Sequence, residues 1–274
     1  MGDQTLRRPK ISCVIALAFF LHCGNLLAQD WANLKGRFTF DGEPPPRTEL
    51  PYTALERTRI GAPEGLKLLD ESLIVDAKTK GIANVAIFAV PEWMTPKVEM
   101  PIHPSAKEGA ESEHPIRIKN LAIAPHISVM RSSQQLTLTN EEPFAHNLKL
   151  DATGVGPSFN YLLASLKKVI VPKMEQTQLP SRLSGSIAPY LSGYLVVRDN
   201  PYFAVTNEKG EFEIKDLPLG NWRFQAWHEK CGYVRKLKWK DVDTTWTKGR
   251  FDIELTKNGV DMGEIKVNAE IFKK

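Results

Sequence analysis

Cysteine is almost missing from this chain. Three occur in 274 residues, and because Cys13 and Cys23 lie within the first thirty, Cys231 stands alone in everything that follows. That excludes an internal disulfide framework beyond the N-terminus, so the fold must rest on a packed apolar core. Long apolar runs are lacking too. The stretch from Ile11 to Leu21 is too short to cross a bilayer. Nor is there an excess of charge of one sign: a formal net charge of +4 makes no electrostatic case for nucleic acid or a membrane surface. Enzyme signatures are also missing, with no GxSxG elbow, P-loop, GxGxxG or HExxH. The chain is therefore read as non-enzymatic, with no catalytic residues and no nucleic-acid partner.

What is present begins with a leader. Arg7, Arg8 and Lys10 precede the apolar run, and the polar, small-residue stretch GNLLAQD follows it. This order describes a secretory signal peptide over residues 1–28, with cleavage after Ala28. Its removal lowers the formal charge from +4 to +2, because three basic and one acidic side chain leave. The expectation is export to the periplasm or beyond, with no membrane span after cleavage. About 246 residues then remain, enough for one large or two ordinary domains with real cores.

Strand signals dominate that remainder. LKGRFTF, ANVAIFAV, HISVM, QLTLTN, HNLKL, KKVIVP, GYLVVR, FAVT, GEFEIKDL, NWRFQAW, RKLKWK, RFDIEL and GEIKVN alternate or carry β-branched and aromatic residues between turn formers. A short helix is expected in YTALERTRIG, residues 52–61, and a further helical turn near FNYLLASLKK. DGEPPPRTELP cannot be a central strand, since three consecutive prolines remove ladder donors. From Pro91 to Pro115 five prolines with charged and small neighbours predict an exposed excursion. Regular short strands between turn signals predict an all-β sandwich.

Two stretches resemble known modules. FAVTNEKGEFEIKDLPLGNWRFQAWHEKCGY is similar to the second half of a carboxypeptidase-regulatory or transthyretin-like sandwich, through Thr206, Gly210, Phe212, Ile214, Leu217, Pro218, Gly220 and Phe224. LKGRFTFDGEPPP and ANVAIFAV resemble its opening strands but lie more than a hundred residues upstream. IAPHISVMRSSQQLTLTNEEPFAHNLKL resembles a cupredoxin, through Pro125, Val129, Leu136, Asn140 and His146. Nearly the whole of residues 31–272 is similar to a group of exported bacterial proteins, abundant in Planctomycetes and labelled methylamine utilization protein, with DESLIVD, PHISV, GYLVVRDNPYFAVT and WHEK the most specific stretches. The implied fold is a cupredoxin-like Greek-key β-sandwich combined with a carboxypeptidase-regulatory or transthyretin-like one. The implied division places the first part of the regulatory-like sandwich at 30–97, the cupredoxin-like domain at 98–198 and the second part at 199–274, with tandem sandwiches as the alternative.

Type 1 copper requires a thiolate, two imidazoles and usually a weak thioether. The resemblance places those groups at Gly185, His146, Ala188 and Leu191. His146 alone keeps a donor, so these are read as vestigial copper positions and the expected cofactor is none, with copper as the alternative. His126 and Met130 share a strand face but lie about 13 Å apart at i and i+4, too far for one metal. The group's two further cysteines map near Arg59 or Ile60 and onto Leu121, as loss of a disulfide would leave them. His228, Glu229 and Cys231 form a weak polar cluster; on a continuing strand His228 and Cys231 fall on opposite faces. Glu141 and Glu142 read as a solvated turn. Trp222, Trp227, Trp239 and Trp246 raise a carbohydrate platform against ordinary core packing. The expected function is an exported binding or scaffold protein whose partner is an unknown protein or cell-surface ligand. The alternatives are an electron-transfer or copper-handling protein and a carbohydrate-binding β-sandwich.

Overall fold

The computed structural model describes residues 1–2, 30–93, 100–152 and 157–273, without the Arg59 side chain. The expected leader, apart from its first two residues, and part of the proline-rich excursion lie outside the described residues. Among those described, no helix is long and apolar enough to cross a membrane.

The chain is all-β. Its first elements are β1 (Trp31–Asp41), the helix α1 (Ala54–Arg59), β2 (Ala86–Ala89) and α2 (Pro104–Glu108). There follow β3 (Glu113–Lys119), β4 (Ala122–Ala124), β5 (Ile127–Arg131), β6 (Gln135–Asn140), β7 (His146–Asp151), β8 (Phe159–Leu163), β9 (Lys168–Ile170), β10 (Ser181–Ser184) and β11 (Ser192–Arg198). The last set is β12 (Phe203–Val205), β13 (Glu211–Pro218), β14 (Gly220–His228), β15 (Gly232–Tyr233), β16 (Lys236–Trp239), β17 (Val242–Thr245), β18 (Arg250–Leu255) and β19 (Val260–Asn268).

Four sheets stack as layers. The outermost has the order β13-β1-β19-β16-β17, and against it lies β12-β2-β14-β15 with β18 on β14. Next comes β5-β11-β10-β7-β8, and the last sheet is β4-β3-β6-β9. Three apolar clusters fill the gaps. Leu34, Phe38, Phe212, Trp222, Phe224 and Ile265 belong to the first. Ala86, Phe88, Val90, Ile127, Val129 and Val196 belong to the second, and Ile116, Leu138, Leu148, Leu183 and Leu195 to the third. None of the described strands from β3 to β11 is paired with a strand outside that span, whereas β1 and β2 pair with β12, β13, β14 and β19.

The layer order explains the sequence patterns. β13 and β18 alternate buried and exposed residues because one face meets water. β2 and β5 are buried at every position, being covered on both faces. At the turn before β13, Gly210 has φ of +77° and donates its N–H to the carbonyl of Asn207 at 2.8 Å, the positive-φ turn expected there. Pro218 and Gly220 instead carry the chain from one sheet to the next, since β13 and β14 lie in different layers.

Two expectations need correction. FNYLLASLKK supplies no helical turn at its start: Phe159–Leu163 is β8, drawn out by pairing with β7 from Leu163 against His146 to Phe159 against Leu150. The proline-rich excursion also ends early. Pro115 lies inside β3, at a position where β6 pairs on one side and β4 has not yet joined on the other. The short helix is where YTALERTRIG puts it, and Thr53 and Glu56 close a capping box.

Candidate functional site

One end of the sandwich formed by β3 to β11 is built by one asparagine at a strand terminus. Asn140 ends β6, and its Nδ2 donates to the carbonyls of Phe144 at 2.8 Å and Leu163 at 3.1 Å. This holds the 141–145 loop so that it delivers His146 to the first position of β7. The next residue anchors the second loop: the Asn147 Oδ1 accepts the N–H groups of Ser186 and Ile187, both at 2.8 Å. Loop 185–191 then closes on itself, with Leu191 N–H donating to Ala188 O at 2.9 Å. A Cβ on Gly185 would lie 2.8 Å from Ala188 O and 3.2 Å from Leu191 Cδ1, so this tight turn needs glycine.

His146 and Ala188 line one recess of about 250 Å³, together with Ile60, Phe144, Ile187 and Tyr190. His146, Gly185, Ala188 and Leu191 thus meet at one end of the sandwich. The imidazole is 1% exposed, its ring stands edge-on to Phe144 at 5.1 Å, and burial lowers its pKa. Neither of its ring nitrogens has a hydrogen-bond partner among the described residues. Copper does not fit this inventory. Gly185 has no side chain, Ala188 and Leu191 end in methyl groups, and among the described residues no group of three His, Cys, Asp or Glu could hold a metal ion.

α1 covers this end. Gly61, with φ of +67°, lies so close to Phe144 that a Cβ would come within 2.4 Å of its ring, and Tyr52 meets Tyr190 edge-on at 5.7 Å. The two glutamates of the loop are not a solvated turn. Glu142 is buried and its Oε1 accepts Leu121 N–H at 2.9 Å, while Glu141 pairs with Arg117 and Lys119. That hydrogen bond offsets part of the carboxylate's lost hydration and satisfies a backbone N–H that would otherwise be buried unpaired.

The other predicted cluster separates. β14 stops at His228, and Glu229 to Cys231 form a turn that Gly232 closes with φ of +69°. His228 is buried edge-on to Phe272 at 5.4 Å, and burial together with the nearby His126 charge drives its pKa down to about 3. Cys231 is buried in the outer core. Glu229 turns the other way, onto His126, whose Nε2 contacts its Oε1 while Nδ1 lies 3.4 Å from Glu71 Oε2. Burial alone would lower the His126 pKa, but the hydrogen bond to Glu229 and the charges of Glu229 and Glu71 lift it to about 9. Met130, four residues on, points into the inner core.

Sequence reasoning missed this junction. Glu71, His126 and Glu229 lie at a cleft of about 670 Å³ that Arg47, Tyr52 and Tyr190 also line. Arg198 closes a second junction: fully buried at the end of β11, it donates to Ala89 O at 3.1 Å and pairs with Glu92 at 2.7 Å. A charged residue ending an apolar strand was the available signal. The tryptophans form no platform, for Trp222, Trp227 and Trp246 are buried and Trp239 donates to Met262 O at 2.8 Å.

No protein-family model and no curated protein matches the chain. Solved structures that match part of it are cupredoxins. A purple cupredoxin from Nitrosopumilus maritimus is 18% identical over 31% of this chain and 98% of its own, with a TM-score of 0.26. A reduced, singly substituted mutant of amicyanin is 16% identical over 38% of this chain and 95% of its own, with a TM-score of 0.29. A copper-containing nitrite reductase from Thermus scotoductus SA-01 is 14% identical over 31% of this chain, with a TM-score of 0.28, and the match spans 22% of its length.

Proposed function

We propose that this is an exported, non-enzymatic binding or scaffold protein, a regulatory-like sandwich interrupted by a cupredoxin-like one that no longer holds type 1 copper. The observation that supports this most is the donor inventory at the His146 end: one imidazole, surrounded by Gly185, Ala188 and Leu191, which offer no side-chain ligand. The 185–191 loop is closed on itself, with Asn147 as its anchor. A protein or cell-surface ligand would meet the chain at the open cleft beside His126, which is large enough for a side chain or a small glycan.

Copper titration tests the reading. Metal-free protein given Cu(II) should develop no thiolate charge-transfer band, and His146→Ala should leave any copper uptake unchanged. One tightly bound equivalent that disappears in His146→Ala would overturn it.

A further inference from the structure

Two buried polar groups at the capped end of the β3–β11 sandwich lack a hydrogen-bond partner among the described residues. Both nitrogens of His146 and the hydroxyl of Tyr190 are shut off from solvent without a hydrogen-bond partner among the described residues, and both side chains line the same recess. A buried polar group without a partner is destabilising, so a native structure leaves few unsatisfied. The neighbouring polar groups are committed elsewhere. Asn147 holds Ser186, Ile187 and Asn160, and Glu142 holds Leu121. Of the rest of the wall, Thr58 commits its hydroxyl to Ala54 O at 3.0 Å, and Ile60, Phe144, Ile187 and Ala188 are apolar or aromatic.

We propose that this recess is a binding site for one small uncharged aromatic molecule carrying a single hydroxyl or ring N–H, of the size of phenol or an azole. Its volume of about 250 Å³ lies below the range of drug-sized pockets, roughly 300–1,000 Å³, yet is several times the ~30 Å³ share of one water. A neutral imidazole offers one acceptor and one donor, and the tyrosine hydroxyl can do either, which suits a ligand with one such group and a flat apolar body. The Phe144 and Tyr190 rings favour a planar guest. Charge is disfavoured on both sides. The Glu142 carboxylate acts on both His146 and Tyr190 and repels an anion, and apolar walls do not repay the hydration that a cation gives up.

The proposal rests on the reading of this end as free of copper, so the two are tested together. The metal-free full chain is titrated with phenol, benzene and benzoate while the His146 ring ¹⁵N signals are followed, and a parallel sample receives Cu(II). The expected result is saturable one-to-one phenol binding at millimolar affinity or better that shifts those signals, weaker binding of benzene and none of benzoate. Ala188→Leu, which fills the recess, and Ile187→Trp, which covers its mouth, should each weaken phenol by about tenfold or more with His146 intact. His146→Leu should do the same. Thermal melts identify any variant that does not fold, and the remaining variants then decide. Absence of saturable phenol binding, or an affinity unchanged in the folded variants, would overturn the proposal and leave a water-filled recess. Copper uptake that requires His146 would instead overturn the copper-free reading.

Discussion

At the residue scale, histidines at the same edge of the molecule are held in opposite states. His126 is charged between Glu71 and Glu229, and His228, close by, is neutral inside the core. Their linkage signs are opposite. The raised His126 pKa means that its contribution is complete below about pH 6.5, the unfolded value, and lost as pH rises through about 9. The depressed His228 pKa means that its contribution is present above about pH 6.5 and lost as pH falls toward about 3. Replacing His126 by Gln leaves two carboxylates facing each other without the cation and should cost about 3 kcal/mol at pH 6.5. Denaturant melts across pH 6 to 10 should then lose most of the wild-type decline between about pH 6.5 and 9; a mutant profile parallel to wild type would refute the assignment.

At the element scale, loop 185–191 keeps its shape through one side chain on another element. Asn147 accepts two adjacent backbone N–H groups of the loop and donates to Asn160 Oδ1 at 2.9 Å. Asn147→Ala removes two hydrogen bonds to a turn whose residues Ser186 and Ile187 are exposed, so water replaces them in part and the cost should be about 1 kcal/mol. Hydrogen exchange should locate the loss, with protection falling at Ser186 and Ile187 and little change in β13 or β18. Uniform loss across the chain would mean that Asn147 supports the whole fold. The helix over this end is local in origin: the Thr53–Glu56 capping box starts it and Gly61 follows its last turn with positive φ.

For the whole molecule, the arrangement we propose makes the outer sandwich complete in its own strands, because its core draws on β1, β2 and β12 to β19. Replacing about residues 98–198 by a short linker should leave a β-domain that still melts cooperatively. It should also associate, because Ala86, Phe88, Val90 and Trp227, now packed on Ile127, Val129 and Val196, become an exposed apolar face. Circular dichroism melts and size-exclusion chromatography read both effects, and a non-cooperative melt would count against the nested arrangement.

The thirteen segments named from alternation each hold a strand, and YTALERTRIG holds its helix, because period and capping act within a few residues. β4 (AIA), β10 (SRLS) and β15 (GY) lack the β-branched and aromatic runs that mark β9 and β12 at similar length. β8 was hidden for a different reason. Its Leu162 is 68% exposed while Leu163 is fully buried, so an apolar pair straddles both faces and pairing with β7 decides the state.

At the candidate site the missing donors were plain from Gly185, Ala188 and Leu191, since a residue without a ligand atom lacks one in any fold. Partnership was not. That Glu229 leaves His228 for His126, a residue 103 positions away, that Glu142 is buried on Leu121, and that His146 and Tyr190 share an unsatisfied recess are consequences of how distant elements pack. The sequence by itself determined the thirteen alternating strands, the capped helix and which positions of the His146 end carry a side-chain donor, because those depend on a residue and its near neighbours. The stacking of four layers decided which charges are buried, which meet, and which are left without a partner, because burial and desolvation exist only once the layers close.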